Sequence, residues 1–133
     1  MTQIRFPFSV WLYGRATLEG CWEYRTADPW AVTLHLDGQR WIFARDLLRV
    51  GLTEPAGDGD VQVMPDTGGS AGLLNVLLSS PSGAVRLPVA RDTVASLLEA
   101  SYALIPDGRE AEGIDWDHEW TRLADDDATG AAA

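Results

Sequence analysis

Hydrophobic and polar positions alternate with a period of two through most of this chain, and the period changes to that of a helix at only a few places. The clearest case lies around Asp37-Gly38, a two-residue pair suited to a type I′ hairpin turn, which needs positive φ at both central positions. That turn predicts Leu36 opposite Gln39, Leu34 opposite Trp41 and Val32 opposite Phe43. One face of the ribbon then carries Val32, Leu34, Leu36, Trp41 and Phe43 and needs a core to cover it. The other carries Ala31, Thr33, His35, Arg40 and Ile42 and is mostly wettable. After Phe43 and Ala44 the spacing becomes helical. Arg45 and Asp46 open a short helix, Leu47 and Leu48 point inward, and Gly51 suits a left-handed position past the helix end, letting Leu52 pack back on Leu47.

The same reading places the other elements. Residues 4–13 form a strand whose Pro7 argues for an edge or a bulge, and residues 18–25 form a second strand before the Asp28-Pro29 turn. Residues 55–60 read as loop, 61–64 as a short strand, and 66–72 as a flexible, glycine-rich turn. The apolar run 73–79 predicts a central strand. Ser80-Pro81-Ser82-Gly83 turns it back through Val85, Leu87 and Val89. Asp92 is the expected cap of a helix with Val94, Leu97, Leu98, Tyr102 and Ile105 at helical spacing, ended by Pro106-Asp107-Gly108. A last short helix is expected from Asp115, with Trp116, Trp120 and Leu123 on one side. Six or seven antiparallel strands with two or three helices predict an α+β domain, a curved antiparallel sheet with helices packed on it. No internal repeat is apparent. The expected organisation is one domain over residues 1–124 and a disordered acidic, alanine-rich tail over 125–133.

Composition narrows the function classes. The net charge is −10, and residues 107–133 hold nine acids against Arg109 and Arg122, a local −7. Such a chain is a poor ligand for phosphates, so neither nucleic acid nor an anionic lipid surface is the expected partner. No run is long enough to span a membrane, no signal peptide is evident, and the lone Cys21 suits a reducing cytoplasm. All ten basic residues are arginine.

Candidate chemistry is sparse. His35 falls on the wettable hairpin face and His118 among acids at the start of the last helix, so no Cys-His or triad arrangement is suggested. Asp115, Asp117 and Glu119 imitate the opening of a calcium loop, but Trp120 stands where that loop needs glycine. Gly57-Asp58-Gly59-Asp60 lacks the Lys-Ser/Thr of a phosphate loop and reads as a turn. No catalytic residue, metal or cofactor is expected. Arg45 is expected to reach Asp28, because the hairpin register sets Trp30 opposite Arg45. Among the six tryptophans, Trp41, Trp116 and Trp120 read as core. Trp11, Trp22 and Trp30 lie nearer strand ends and are the candidate protein interface.

Thr26-Ala27-Asp28-Pro29, followed by an aromatic, Ala-Val and the strand ending Phe43-Ala44-Arg45-Asp46-Leu47-Leu48, resembles the SsgA-like proteins of spore-forming actinomycetes. The resemblance continues through Gly51-Leu52, residues 57–61, residues 78–83 and Ile114-Asp115-Trp116-Asp117-His118-Glu119, spanning roughly residues 22 to 124. Residues 1–20 match loosely, and Gly20-Cys21-Trp22 replaces a proline-containing approach. The resemblance implies a half-barrel or sandwich fold and a structural role for Asp28, Pro29, Trp41, Phe43, Ala44, Arg45, Asp46, Leu47 and Leu48. It also implies a dimeric or trimeric adaptor of sporulation-specific cell division, cytoplasmic and recruited to the septum, with no membrane insertion. Its implied partners are the tubulin-like division GTPase (FtsZ) and other SsgA-like proteins. An acidic adaptor is expected to hold an acidic GTPase through apolar contacts that persist as salt rises. A single-stranded nucleic-acid-binding regulator is the alternative, since similar folds serve such binders.

Overall fold

A computed structural model describes residues 2–12, 16–68 and 72–113. Its eight strands, β1 (Gln3–Leu12), β2 (Ala16–Arg25), β3 (Ala31–Leu36), β4 (Gln39–Ala44), β5 (Ala56–Asp58), β6 (Val61–Pro65), β7 (Leu73–Ser80) and β8 (Gly83–Ala90), form two antiparallel four-stranded sheets. Within each sheet the strands follow chain order, β1-β2-β3-β4 and β5-β6-β7-β8. Helix α1 (Arg45–Gly51) follows the first sheet and α2 (Arg91–Leu104) the second, and a single 3₁₀ turn covers Glu110–Gly113. The expected α+β class with antiparallel strands and helices packed on them therefore holds, the strands dividing between two sheets where one curved sheet was expected. The additional strand is β5, whose three residues pair with Val61, Gln62 and Val63 inside the stretch expected to be loop.

The central hairpin has the register that its turn dictates. Leu36 pairs with Gln39, Leu34 with Trp41 and Val32 with Phe43. Asp37 (φ 49°) and Gly38 (φ 76°) both take the positive φ of a type I′ turn. Val32, Leu34, Leu36 and Phe43 are buried in a core shared with Trp22, Tyr24, the inner positions of β6, β7 and β8, and Leu47, Leu48, Val94, Leu97 and Leu98 of the helices. Both sheets and both helices thus feed one core. Pro7 lies on β1, an edge strand of its sheet, as its missing N–H requires.

Two helix ends differ from expectation. Gly51 is the last helical residue, is buried, and is not among the glycines with positive φ. It is needed for space, since a Cβ there would stand 2.5 Å from Val63 Cγ1 and 2.7 Å from Val63 Cβ. Asp92 is not the cap of α2. Ala90 occupies that position without a side-chain cap, and Asp92 sits in the first turn, where a carboxylate favours the helix dipole. The expected helix from Asp115 and the tail over 125–133 lie outside the described residues.

The chain also repeats itself, although no repeat is apparent by eye in the sequence. Each sheet ends in a hairpin with a two-residue connection, Asp37-Gly38 or Pro81-Ser82, that runs without a spacer into a helix beginning Ala-Arg-Asp. Ala44 and Ala90 have nearly the same backbone angles, (−66°, 135°) and (−66°, 124°). The Arg45 N–H donates to the carbonyl of Trp30, just before β3, and the Arg91 N–H donates to Gly72, just before β7. The side chains then cross over. Arg45 reaches carbonyls at the C-terminal end of α2, and Arg91 Nε donates to the Leu52 carbonyl at the C-terminal end of α1 (3.4 Å). Each ββββα half thus sends an arginine to the end of the other's helix.

Candidate functional site

Arg45 is the best-built polar group among the described residues. The strand-to-helix junction aims its side chain under the C-terminal end of α2, where orphan carbonyls concentrate negative charge. Nη1 donates to the carbonyls of Ser101 (3.1 Å) and Ile105 (2.8 Å), and Nη2 pairs with Glu110 Oε1 (3.1 Å). The guanidinium lies against the rings of Tyr102 (4.0 Å) and Tyr24 (5.0 Å), and Arg45 as a whole is 2% exposed. Burial pushes both phenols above their ordinary 10.0, although the Arg45 charge pulls each down, so two neutral rings flank the cation. The Glu110 carboxyl lies below its ordinary 4.5. Its own backbone N–H holds it there first, with the Gly108 N–H and Arg45 adding to that against the upward push of burial.

The expected Arg45–Asp28 pair is therefore corrected. The register is right, because Arg45 N–H does meet Trp30, but the side chain turns to Glu110, 65 positions along the chain. Asp28 lies exposed in the β2–β3 turn. That turn is anchored from below, where the Tyr24 hydroxyl donates to the carbonyl of buried Pro29 (2.9 Å). Asp46 pairs with Arg49 on the helix surface, and Leu47, Leu48 and Phe43 are core. Trp41 is half-buried, its Nε1 donating to Ser79 (3.2 Å) and so joining the two sheets. Nothing in this cluster is arranged for turnover; it is a brace.

A second polar cluster occupies the outer face of the first sheet, opposite the face that carries the core residues of β2, β3 and β4. Residues at alternate positions share this face, and the register sets Arg5, Glu23, Thr33 and Ile42 in one row across all four strands. Glu23 is only 3% exposed although it faces outward. Arg5 Nε donates to Oε2 (3.0 Å), while Oε1 meets His35 Nε2 (3.1 Å) and Arg25 Nε (3.5 Å). Burial pushes the Glu23 carboxyl up. The bonds from His35 and Arg5 and the charges of Arg25 and Arg5 outweigh that and hold it below 4.5. A shallow cavity of about 140 Å³ opens beside it, lined by Glu23, Arg25, Asp28, Ala31, Thr33 and Ile42.

The three tryptophans expected at an interface separate. Trp11 (62% exposed) and Trp30 (47%) stand in solvent, whereas Trp22 is 0% exposed and is not an interface residue. Register explains the correction. Trp22 pairs with Leu34 and Phe6 on the inward face and lies between the rings of Phe8 and Phe43. Its Nε1 is the one buried side-chain nitrogen or oxygen among the described residues without a hydrogen-bond partner. Ile42 (57% exposed) joins the exposed apolar positions. Among the described residues no three His, Cys, Asp or Glu side chains converge as metal ligands. No helix there is long and apolar enough to cross a membrane. His118 and the Asp115, Asp117 and Glu119 series lie outside them.

Comparison with known proteins decides the family. The family described as Streptomyces sporulation and cell division protein, SsgA, matches residues 18–110. The chain belongs to the SsgA family. Among its relatives, a sporulation-specific cell division protein of Frankia casuarinae is 41% identical over 109 residues, covering 79% of this chain and 75% of that protein. SsgB of Streptomyces coelicolor, also named a sporulation-specific cell division protein, is 39% identical over 105 residues, 75% of this chain and 77% of the relative. The folds agree as well. An SsgA-like sporulation-specific cell division protein from Thermobifida fusca superposes with a TM-score of 0.74 at 30% identity, covering 91% of this chain and 94% of the other. A structure from work linking SsgB mutations to longitudinal cell division in sporulating S. coelicolor gives 0.73 at 30% identity, covering 85% and 96%. Arg45 and the residues that meet it up to Glu110 fall inside the matched range of this SsgA-family member, whereas Arg5 of the outer-face cluster falls before it.

Proposed function

We propose that this SsgA-family chain acts in sporulation-specific cell division as a non-catalytic adaptor, recruited to the septum and working through protein contacts with the division GTPase FtsZ, with other SsgA-like proteins, or with both, as a small homo-oligomer. The observation that carries this reading is the open outer face of the first sheet. It is a broad β surface bearing exposed Ile42 and Trp11, in a protein whose most elaborate polar cluster is spent on bracing the fold. Sheets of this kind ordinarily have one face on the core and one in water, and exposed aromatic and branched side chains on the wet face suit recognition of another protein. Support for the process comes from the names of the relatives, which are sporulation-specific cell division proteins.

A fluorescent fusion of the full chain, expressed in sporulating cells, tests this. Ladders of foci coincident with labelled FtsZ at septation are the expected result, and light scattering of the purified chain should give a dimer or trimer. A diffuse signal throughout septation, from a fusion that restores spore formation to cells lacking the gene, would refute the reading.

A further inference from the structure

The outer face of the first sheet differs in charge from the rest of the molecule. By register it carries Arg5, Arg25 and Arg40 against Glu19 and Glu23, a net of +1, in a chain of net −10, so all other residues together carry −11. Glu23 is spent inside the face. It is buried beneath Arg5 and Arg25, takes the Nε of each, and meets His35 as well. Both arginine side chains are more than half exposed (55% and 52%), while the buried carboxylate of Glu23 meets each at Nε. Guanidinium groups oriented in this way are suited to carboxylates, and holding them in advance lowers the ordering cost of binding. The 140 Å³ cavity is lined by Glu23, Arg25, Asp28 and Ile42, and Arg5 reaches it through Glu23.

Resting on the adaptor reading above, we infer that the Arg5–Arg25 pair and the Ile42 cavity form the docking site for an acidic segment of the partner protein, a carboxylate entering between the two guanidinium groups and a neighbouring apolar side chain covering Ile42. Arg40 and His35 extend the same surface, and Glu19 and Asp28 stand at its opposite ends. Nucleic acid fits less well. One phosphate could replace the carboxylate, but bases stack on aromatic side chains, and the cavity rim offers Ile42 instead. Local charge thereby reverses an expectation drawn from net charge: the contact weakens, rather than holds, as salt rises.

The test uses the full chain, isotopically labelled for amide NMR, with poly-L-glutamate as a defined acidic probe and purified FtsZ in a parallel binding assay. Poly-L-glutamate is expected to shift the amides of Arg5, Glu23, Arg25, Thr33 and Ile42, with the effect fading between 50 and 300 mM salt, where screening shortens to roughly a Debye length of 6–14 Å. Arg5→Gln combined with Arg25→Gln should weaken FtsZ retention about tenfold. Those replacements also touch Glu23, so Arg40→Glu, which removes no hydrogen bond of the cluster, provides a second reading and should weaken retention several-fold. If wild type fails to retain FtsZ while poly-L-glutamate still moves this face, the FtsZ part of the adaptor reading fails and the docking site stands for an acidic segment of another protein. Poly-L-glutamate that moves other amides or none, or FtsZ retention unchanged in both arginine variants, overturns the docking site. A 20-nucleotide oligo-dT that moves the same amides with equal or higher affinity overturns it in favour of nucleic acid. If converting the six acids between 115 and 127 to amides tightens poly-L-glutamate binding more than tenfold, the occupant is this chain's own acidic stretch, and the proposal of a partner segment is wrong.

Discussion

Replacing Arg45 with alanine removes the one side chain that ties α2, the 3₁₀ turn and the β4–α1 junction together. Two losses can be separated. The Ile105 carbonyl loses its donor at 2.8 Å, whereas the Ser101 carbonyl keeps the Ile105 N–H at 2.9 Å. The Arg45–Ile105 bond is part-buried, so leaving that carbonyl unpaired costs about 1 kcal/mol, the low end of the range for buried groups. The guanidinium also vacates the gap between the Tyr24 and Tyr102 rings, and a large-to-small change at a buried site costs about 2–4 kcal/mol. These terms overlap because α2 can settle into the gap, so the expected net loss is about 3–4 kcal/mol. At about 3–5 °C per kcal/mol for a domain of this size, the thermal midpoint should fall by roughly 10–15 °C. Arg45→Lys keeps a charge but has neither the planar fork nor the stacking face, and should lose about half as much. Asp28→Asn should be nearly silent. Urea unfolding followed by circular dichroism measures all three. An Arg45→Ala chain within 1 kcal/mol of wild type, or Asp28→Asn as damaging as Arg45→Ala, would refute the reasoning.

Glu23 makes stability depend on pH with a defined sign. Its carboxyl is held below 4.5 in the folded chain, so its contribution is complete above that value and disappears as pH falls through the lower folded value. Glu23→Gln should therefore flatten the acid limb of a stability–pH profile and cost about 1–3 kcal/mol at pH 7; an unaltered acid limb would count against the cluster. Gly51→Ala should cost about 1–3 kcal/mol through its clash with Val63, and Val63→Ala should recover part of that loss in the double variant, as urea midpoints will report.

What could be read in advance follows the range of the interactions. Asp37-Gly38 is a local instruction, and one turn type determines which of six residues on β3 meets which of six on β4, so that register is legible without tertiary information. The partner of Arg45 is not of that kind. Asp28 is near in sequence and of the right charge, but the Ser101 and Ile105 carbonyls at the end of α2, together with Glu110, give a buried guanidinium more than one exposed carboxylate can. Trp22 was legible in principle: Leu18, Gly20, Trp22 and Tyr24 alternate onto the face that meets Leu36, Leu34 and Val32, so treating it as a strand-end residue overlooked its own period. Gly51 illustrates the opposite limit. A glycine after two leucines suggests a helix stop, and only the packing of α1 on β6 shows that it is there to admit Val63. The Glu23 cluster had a faint signal, an acid among outward positions with arginine two residues along, but its third and fourth members come from β1 and β3.

The crossing of Arg45 and Arg91 between the two halves bears on how this protein can come apart. A half that carried its own helix stop could fray by itself and leave the other intact. Here a carbonyl at the end of each helix is met from the opposite half as well as by local turn bonds, and the core is common to both, so opening one half loosens the other's helix end and exposes its sheet. The cooperative unit is therefore the pair, and slow amide exchange in α1 and α2 should proceed through one shared opening. The link between the halves, residues 52–55, is short and carries little of the core. Cut there, the protein would behave as two complementing fragments, each disordered alone and ordered together.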